Sequence, residues 1–173
     1  VANTSSTLLT REEFRAAYGN AHGYEYWFGE ALRKGLPTSL HGITQFILMM
    51  LFRAAGFRAA SEVELRIDPD WEPRPDVVIS SSPLEQPYPT RAESLTAVIE
   101  VLSEDDPLPM LFKKCRNYVR IGIPRIFLVD PESRNAWEWS VQTDNIERIS
   151  VFELPEGNFA VSSVWEELDK ELL

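Results

Sequence analysis

Cysteine is nearly missing: Cys115 stands alone among 173 residues, so no disulfide can close within the chain. A lone thiol suits a reducing compartment, and the polar stretch Val1 to Ser6 shows no basic segment followed by an apolar one, so a cytoplasmic setting is expected. Histidine is almost as scarce, and His22 and His41 with one cysteine cannot assemble the ligand set of a structural zinc site. Positive charge is short as well: 17 Lys and Arg face 27 Asp and Glu, a formal net charge of −10. That balance argues against binding a phosphate backbone through a broad basic surface. The longest apolar run, Phe46 to Phe52, falls far short of the roughly 20 residues that span a bilayer, so it reads as a buried helix and no membrane is expected as a partner.

What remains is an ordinary globular composition, 44% apolar and 25% charged. Residues 1–173 fit one domain with a real core. Thr10, three residues before Glu13, has capping-box spacing and opens a first helix to Tyr18. The aromatic segment Tyr24 to Arg33 suits a strand or hairpin. Pro37-Thr38-Ser39 starts the main buried helix, with Leu40, Ile43, Ile47, Met50 and Leu51 at helical spacing up to Ala55-Gly56. Val63, Leu65 and Ile67 alternate with Glu62, Glu64 and Arg66, a pattern that predicts a half-exposed strand. Further strands are predicted over Asp76 to Ser80, Leu95 to Leu102 and Arg125 to Val129, the last pairing with Ala136 to Val141, with a loop over 81–91. A helix from about Asp105 to Ile121, a hairpin around Pro155-Glu156-Gly157 and a C-terminal helix from Val164 to Leu172 complete the reading. The order implies one mixed α/β domain with a central sheet flanked by helices.

Two of these strands carry an acid at an apolar edge: Pro75-Asp76-Val77-Val78-Ile79 and, 24 positions on, Ala97-Val98-Ile99-Glu100-Val101. Such placement costs free energy unless the carboxylate holds a metal ion, a proton or a hydrogen-bond donor. Asp76 and Glu100 could supply the two carboxylates that Mg²⁺ typically takes, with Mn²⁺ as the alternative ion. Lys114, on the helix after the Glu100 strand, and Tyr118, one turn further on the same face, could assist. The residues alone leave simpler accounts open. Asp76 also suits a strand-start turn, Glu100 a solvent-facing edge, and Lys114 a basic stripe with Lys113, Arg116 and Arg120; Cys115 reads as core.

Taken together, Tyr24 to Glu30, His41, Pro75-Asp76-Val77-Val78, Ile99 to Ser103, and Lys114 through Tyr118 to Gly122-Ile123-Pro124 and Val129-Asp130-Pro131 resemble the Uma2 family. This is a restriction-endonuclease-like family of the PD-(D/E)XK nuclease superfamily. The resemblance implies a restriction-endonuclease-like mixed sheet and hydrolysis of phosphodiester bonds in nucleic acid, DNA first. It makes Asp76 and Glu100 the metal ligands and Lys114 the catalytic lysine, displaced to the helix from the position held here by Leu102. Glu30, His41 and Tyr118 become accessory residues. A homodimer is a further expectation. The chain departs from the family pattern after Ser103, where Glu104-Asp105-Asp106-Pro107 replaces a more basic turn and Met110 takes the place of an acid. That acidic turn keeps a second expectation in view, a nuclease fold acting as a silent binding or scaffold module.

Overall fold

The computed structural model describes residues 8–172 apart from 20, 22, 36, 104 and 105. The acid pair Glu104-Asp105 of the departing turn therefore lies outside the described residues. The first helix, α1 (Arg11–Tyr18), carries the expected capping box: Thr10 Oγ1 accepts the Glu13 N–H at 3.2 Å, and a Glu13 carboxylate oxygen accepts the Thr10 N–H at 2.7 Å. A tight hairpin follows, β1 (Tyr24–Trp27) and β2 (Glu30–Arg33). Its two turn residues, Phe28 and Gly29, both have positive φ, 47° and 90°, as a two-residue hairpin loop of matching twist requires. The long helix α2 (Ser39–Ala54) begins at Thr38, whose hydroxyl accepts the His41 N–H.

The chain then lays down β3 (Arg58–Ser61), β4 (Trp71–Glu72), β5 (Val77–Ser80), β6 (Ala97–Val101), α3 (Leu108–Arg120), β7 (Ile126–Asp130), β8 (Asn135–Ser140), β9 (Asn145–Arg148), the hairpin β10 (Val151–Leu154) and β11 (Gly157–Ala160), and α4 (Ser162–Leu172). A six-stranded sheet in the order β3-β5-β6-β7-β8-β9 forms the centre. Only β6 and β7 run parallel, α3 being the crossover between them; the other neighbours are antiparallel. A smaller sheet, β2-β1-β4, packs beside it. Among the described residues no helix is long and apolar enough to cross a membrane.

Strand alternation divides the core in two. Val77, Ile79, Ala97, Ile99, Val101, Phe127 and Val129 face α2, α4 and the β10–β11 hairpin. Their neighbours Val78, Val98, Ile126 and Leu128 face α3, together with Trp27 of β1 and Trp71 of β4. Extending that alternation by one residue on β5 and two on β6 puts Asp76 and Glu100 on the α3 side.

The strand predicted over Glu62 to Ile67 is absent. The edge strand is β3, immediately before it, and Glu62 breaks the ladder with a φ of 54°. The alternation misled because Glu64 is buried along with Leu65, its carboxylate held by Arg66 and Arg74. The two-residue β4 is too short to show a period and the largely polar β9 carries no apolar run, so both go unseen in the sequence.

Phe152 is fully buried, its ring 5.6, 5.2 and 5.1 Å from those of Phe52, Phe127 and Phe159. Phe152→Ala is expected to cost about 3–5 kcal/mol of stability in urea unfolding. A loss under about 1 kcal/mol would mean that the β10–β11 hairpin does not seal this face of the sheet.

Candidate active site

Asp76 and Glu100 meet because of register. The antiparallel pairs Val77↔Ile99, Val78↔Val98 and Ile79↔Ala97 continue one step to place Asp76 directly across from Glu100. Side chains at such opposed positions share a face and stand within a few ångströms at their Cβ atoms. Both are buried, 3% and 6% exposed. Asp76 closes the ladder itself: its Oδ2 accepts the Val101 N–H at 2.7 Å, where the chain before it turns away through Pro75. Its Oδ1 meets three donors, Lys34 Nζ at 3.1 Å, His41 Nε2 at 3.3 Å and Gln45 Nε2 at 3.3 Å.

Glu100 is held from α3. Tyr118 donates its hydroxyl to Oε1 at 2.6 Å, and Lys114 Nζ lies 3.0 and 3.1 Å from the two carboxylate oxygens. One turn separates Lys114 from Tyr118, so a single helix face supplies both. Lys114 also donates to Glu25 Oε1 at 3.0 Å. Glu25 lies in β1, 4% exposed, and its other partners are the Trp27 indole N–H and the Arg74 backbone N–H.

Three buried carboxylates thus share two ammonium groups, and the imbalance shows in their acidities. Burial pushes the Glu100 carboxyl up to about 7 against the pull of Lys114, with Asp76 adding to the rise. Burial also works against ionised Asp76, yet the His41 hydrogen bond and the Lys34 and Lys114 charges hold it well below the usual carboxylate range. Glu25 is lowered too, Lys114 and Lys34 outweighing its desolvation. Desolvation would depress Lys114 and Lys34, but the surrounding acids raise both. His41 is raised, its bond to Asp76 overcoming burial. Of the three carboxyls, Glu100 is therefore the one that takes up a proton first as pH falls.

Among the sequence candidates, Asp76, Glu100, Lys114, His41 and Tyr118 come together. Glu30 does not join them: it is exposed at the start of β2, paired with Trp27, and makes no hydrogen bond to these residues among those described. Glu25 takes the inward place on the same hairpin. Its signal, an acid within a buried aromatic strand, was the one that marked Asp76 and Glu100. Lys34 and Glu62 carried no such mark, since each sits in a polar stretch, and Gln45 is an uncharged residue of the buried helix. One atom each of His41, Glu62 and Asp76 lies within 4.8 Å of the others, a set able to hold a metal ion. The outer stripe of α3 is largely compensated, with Arg116 paired to Asp144 and Arg120 to Asp68. Cys115 is fully buried in the core, as expected.

The Uma2 family, described as "Putative restriction endonuclease", matches residues 11–168. Among solved structures, a "putative nuclease belonging to DUF820" from Anabaena variabilis is similar over 92% of this chain and 99% of its own, at 19% identity and a TM-score of 0.75. That likeness shows the fold. The DrdV–DNA complex covers 72% of this chain and 10% of its own at 18% identity, and its TM-score of 0.39 carries no argument. No curated protein matches the chain.

The raised acidities set a pH test. Glu100 binds its proton more tightly folded than unfolded, so the stability it contributes is complete below the ordinary glutamate range and is lost as pH rises through about 7. His41, also raised, acts in the same direction. Without added metal, the melting temperature is expected to fall from about pH 5 to about pH 8, and Glu100→Gln to flatten the decline. An equal slope in the variant would contradict the assignment of the proton to Glu100.

Proposed function

The chain belongs to the Uma2 family, and from that membership we propose that it is a divalent-metal-dependent nuclease with Asp76, Glu100 and Lys114 as its working residues. The observation that carries the reading is the β5–β6 register, which sets two buried carboxylates across from each other with one ammonium group beside them. Carboxylate oxygens are the donors hard divalent cations prefer, and a cluster with more carboxylates than ammonium groups favours one more cation. Asp76 and Glu100 would hold Mg²⁺ or Mn²⁺. The chemistry such an ion supplies is Lewis acidity toward a phosphodiester and a lowered pKa for water.

The chain's own groups have separable tasks. Tyr118 fixes the Glu100 carboxylate through its hydroxyl, and the Val101 N–H fixes Asp76. Glu25, anchored by Trp27 and the Arg74 N–H, holds Lys114 against Glu100. With Glu100 turned to a metal, Lys114 keeps Glu25 and frees donor capacity for an attacking water or the charge developing on phosphate. DNA is the substrate we assign, following the family description. The net charge of −10 makes cations necessary for a polyanion to approach.

A second reading rests on one observation. Each oxygen of Asp76, Glu100 and Glu25 already accepts a hydrogen bond from the chain itself, so the cluster is satisfied as a closed network. Such a network suits a nuclease fold retained as a binding or scaffold module.

Incubation with single- and double-stranded DNA and RNA, with Mg²⁺ or Mn²⁺, separates the two. The nuclease reading expects cleavage of DNA that falls at least about a hundredfold in Asp76→Asn, Glu100→Gln and Lys114→Met. Cleavage undiminished in Asp76→Asn would sink the site. Calorimetry showing no Mg²⁺ or Mn²⁺ binding at millimolar concentration would favour the silent module.

A further inference from the structure

Lys34 is the one ammonium group in the cluster that neither the sequence pattern nor the working roles above account for. It follows β2, with its N–H donated to the Gly23 carbonyl at 2.7 Å. Its ammonium lies among four oxygens: Glu62 Oε1 and Oε2 at 3.0 and 2.9 Å, the Arg74 carbonyl at 3.0 Å and Asp76 Oδ1 at 3.1 Å. An ammonium has three N–H donors, so these four contacts are shared.

Building on the metal-dependent reading, we propose that Lys34 is a tethered counter-cation that occupies the outer oxygen of Asp76 and competes with a divalent metal for it. Asp76 has one oxygen to offer. Oδ2 is engaged by the Val101 N–H at 2.7 Å, inside the sheet. Oδ1 is divided among Lys34, His41 and Gln45 at 3.1, 3.3 and 3.3 Å. Charge-assisted hydrogen bonds normally close to about 2.7–2.9 Å, so the three donors crowd one acceptor and each holds it loosely.

Glu62 gives the displaced ammonium somewhere to go. It holds Lys34 through both carboxylate oxygens at the shorter distances of 2.9 and 3.0 Å, and its side chain is 46% exposed. Lys34 can therefore leave Asp76 while remaining paired to Glu62, and the departing charge meets solvent. Glu62 sits at a φ of 54°, a backbone conformation uncommon for this residue, directly after β3. Lys114 has no comparable exit, since both its partners are buried acids. The two lysines thus differ in kind: Lys114 belongs to the site with or without metal, and Lys34 fills in until metal arrives.

Mn²⁺ binding by calorimetry on the wild type, Lys34→Met, Lys34→Arg and Asp76→Asn tests this, with the folding of each variant checked by thermal melting. Lys34→Met is expected to bind Mn²⁺ about tenfold or more tightly than wild type, because a full positive charge next to the ligand oxygen is gone. Lys34→Arg should stay near wild type and Asp76→Asn should lose binding. Equal or weaker binding by folded Lys34→Met, with the wild type still binding, overturns the competition and leaves the metal reading intact. Binding by neither protein overturns both. Should Lys34→Met fail to fold, amine acylation of the wild type followed by mass spectrometry decides. The proposal expects Lys34 to react faster when Mn²⁺ is added while exposed Lys113 does not change, and an unchanged Lys34 rate overturns it.

Discussion

The constraint on which the rest of the structure depends is the placement of two acids across one rung of the largely apolar β5–β6 pair. Asp76 and Glu100 share a rung of the β5–β6 pair whose neighbouring rungs are Val, Ile and Ala, where a bare carboxylate is far from its preferred solvent. The elements nearby each bring something to that position. Lysine and tyrosine come from α3, a third acid and its indole partner from β1, a lysine from just beyond β2, and a histidine and a glutamine from the first turns of α2. Breaking one contact in such a network strands a buried charge, whereas replacing the whole with apolar residues would often cost little. Retaining so many polar groups in a core makes more sense for chemistry than for stability.

The two-faced sheet explains how this is tolerated. The side facing α2, α4 and the β10–β11 hairpin is aliphatic and aromatic throughout, so the fold rests on packing that the polar cluster does not interrupt. The cluster gathers at the end of the opposite face, and the first turns of α2 reach it around the strand ends through His41 and Gln45. There the aromatic wall of Trp27, Trp71 and Tyr118 excludes water and strengthens each electrostatic contact.

Much of this was legible in the chain. Apolar runs, capping residues and turn residues marked the helices and most strands of the central sheet, because burial on one or both faces imposes a period. An acid at the edge of such a run marked Asp76 and Glu100, and the same logic extends to Glu25. What stayed hidden had no period to show. Glu62 to Ile67 alternates like a strand, yet Arg66 and Arg74 bury the Glu64 carboxylate and the alternation serves tertiary ion pairing instead. Lys34 and Glu62 look like surface residues and reach the cluster through long side chains, which sequence spacing does not encode. Glu30 and Glu25 are five residues apart on one hairpin; Glu25 points inward from within the largely buried run Tyr24 to Trp27, and Glu30 lies exposed beyond the turn.

The hydrogen bond from the Val101 amide to the Asp76 carboxylate has one more implication. At that point a side chain stands in for the backbone carbonyl that would continue the β5–β6 ladder. The strand pair is fastened at its end by a titratable group, and the amide proton of Val101 can reach solvent only when that carboxylate lets go. Deuterium uptake at this single amide reports from within the sheet on what Asp76 is holding.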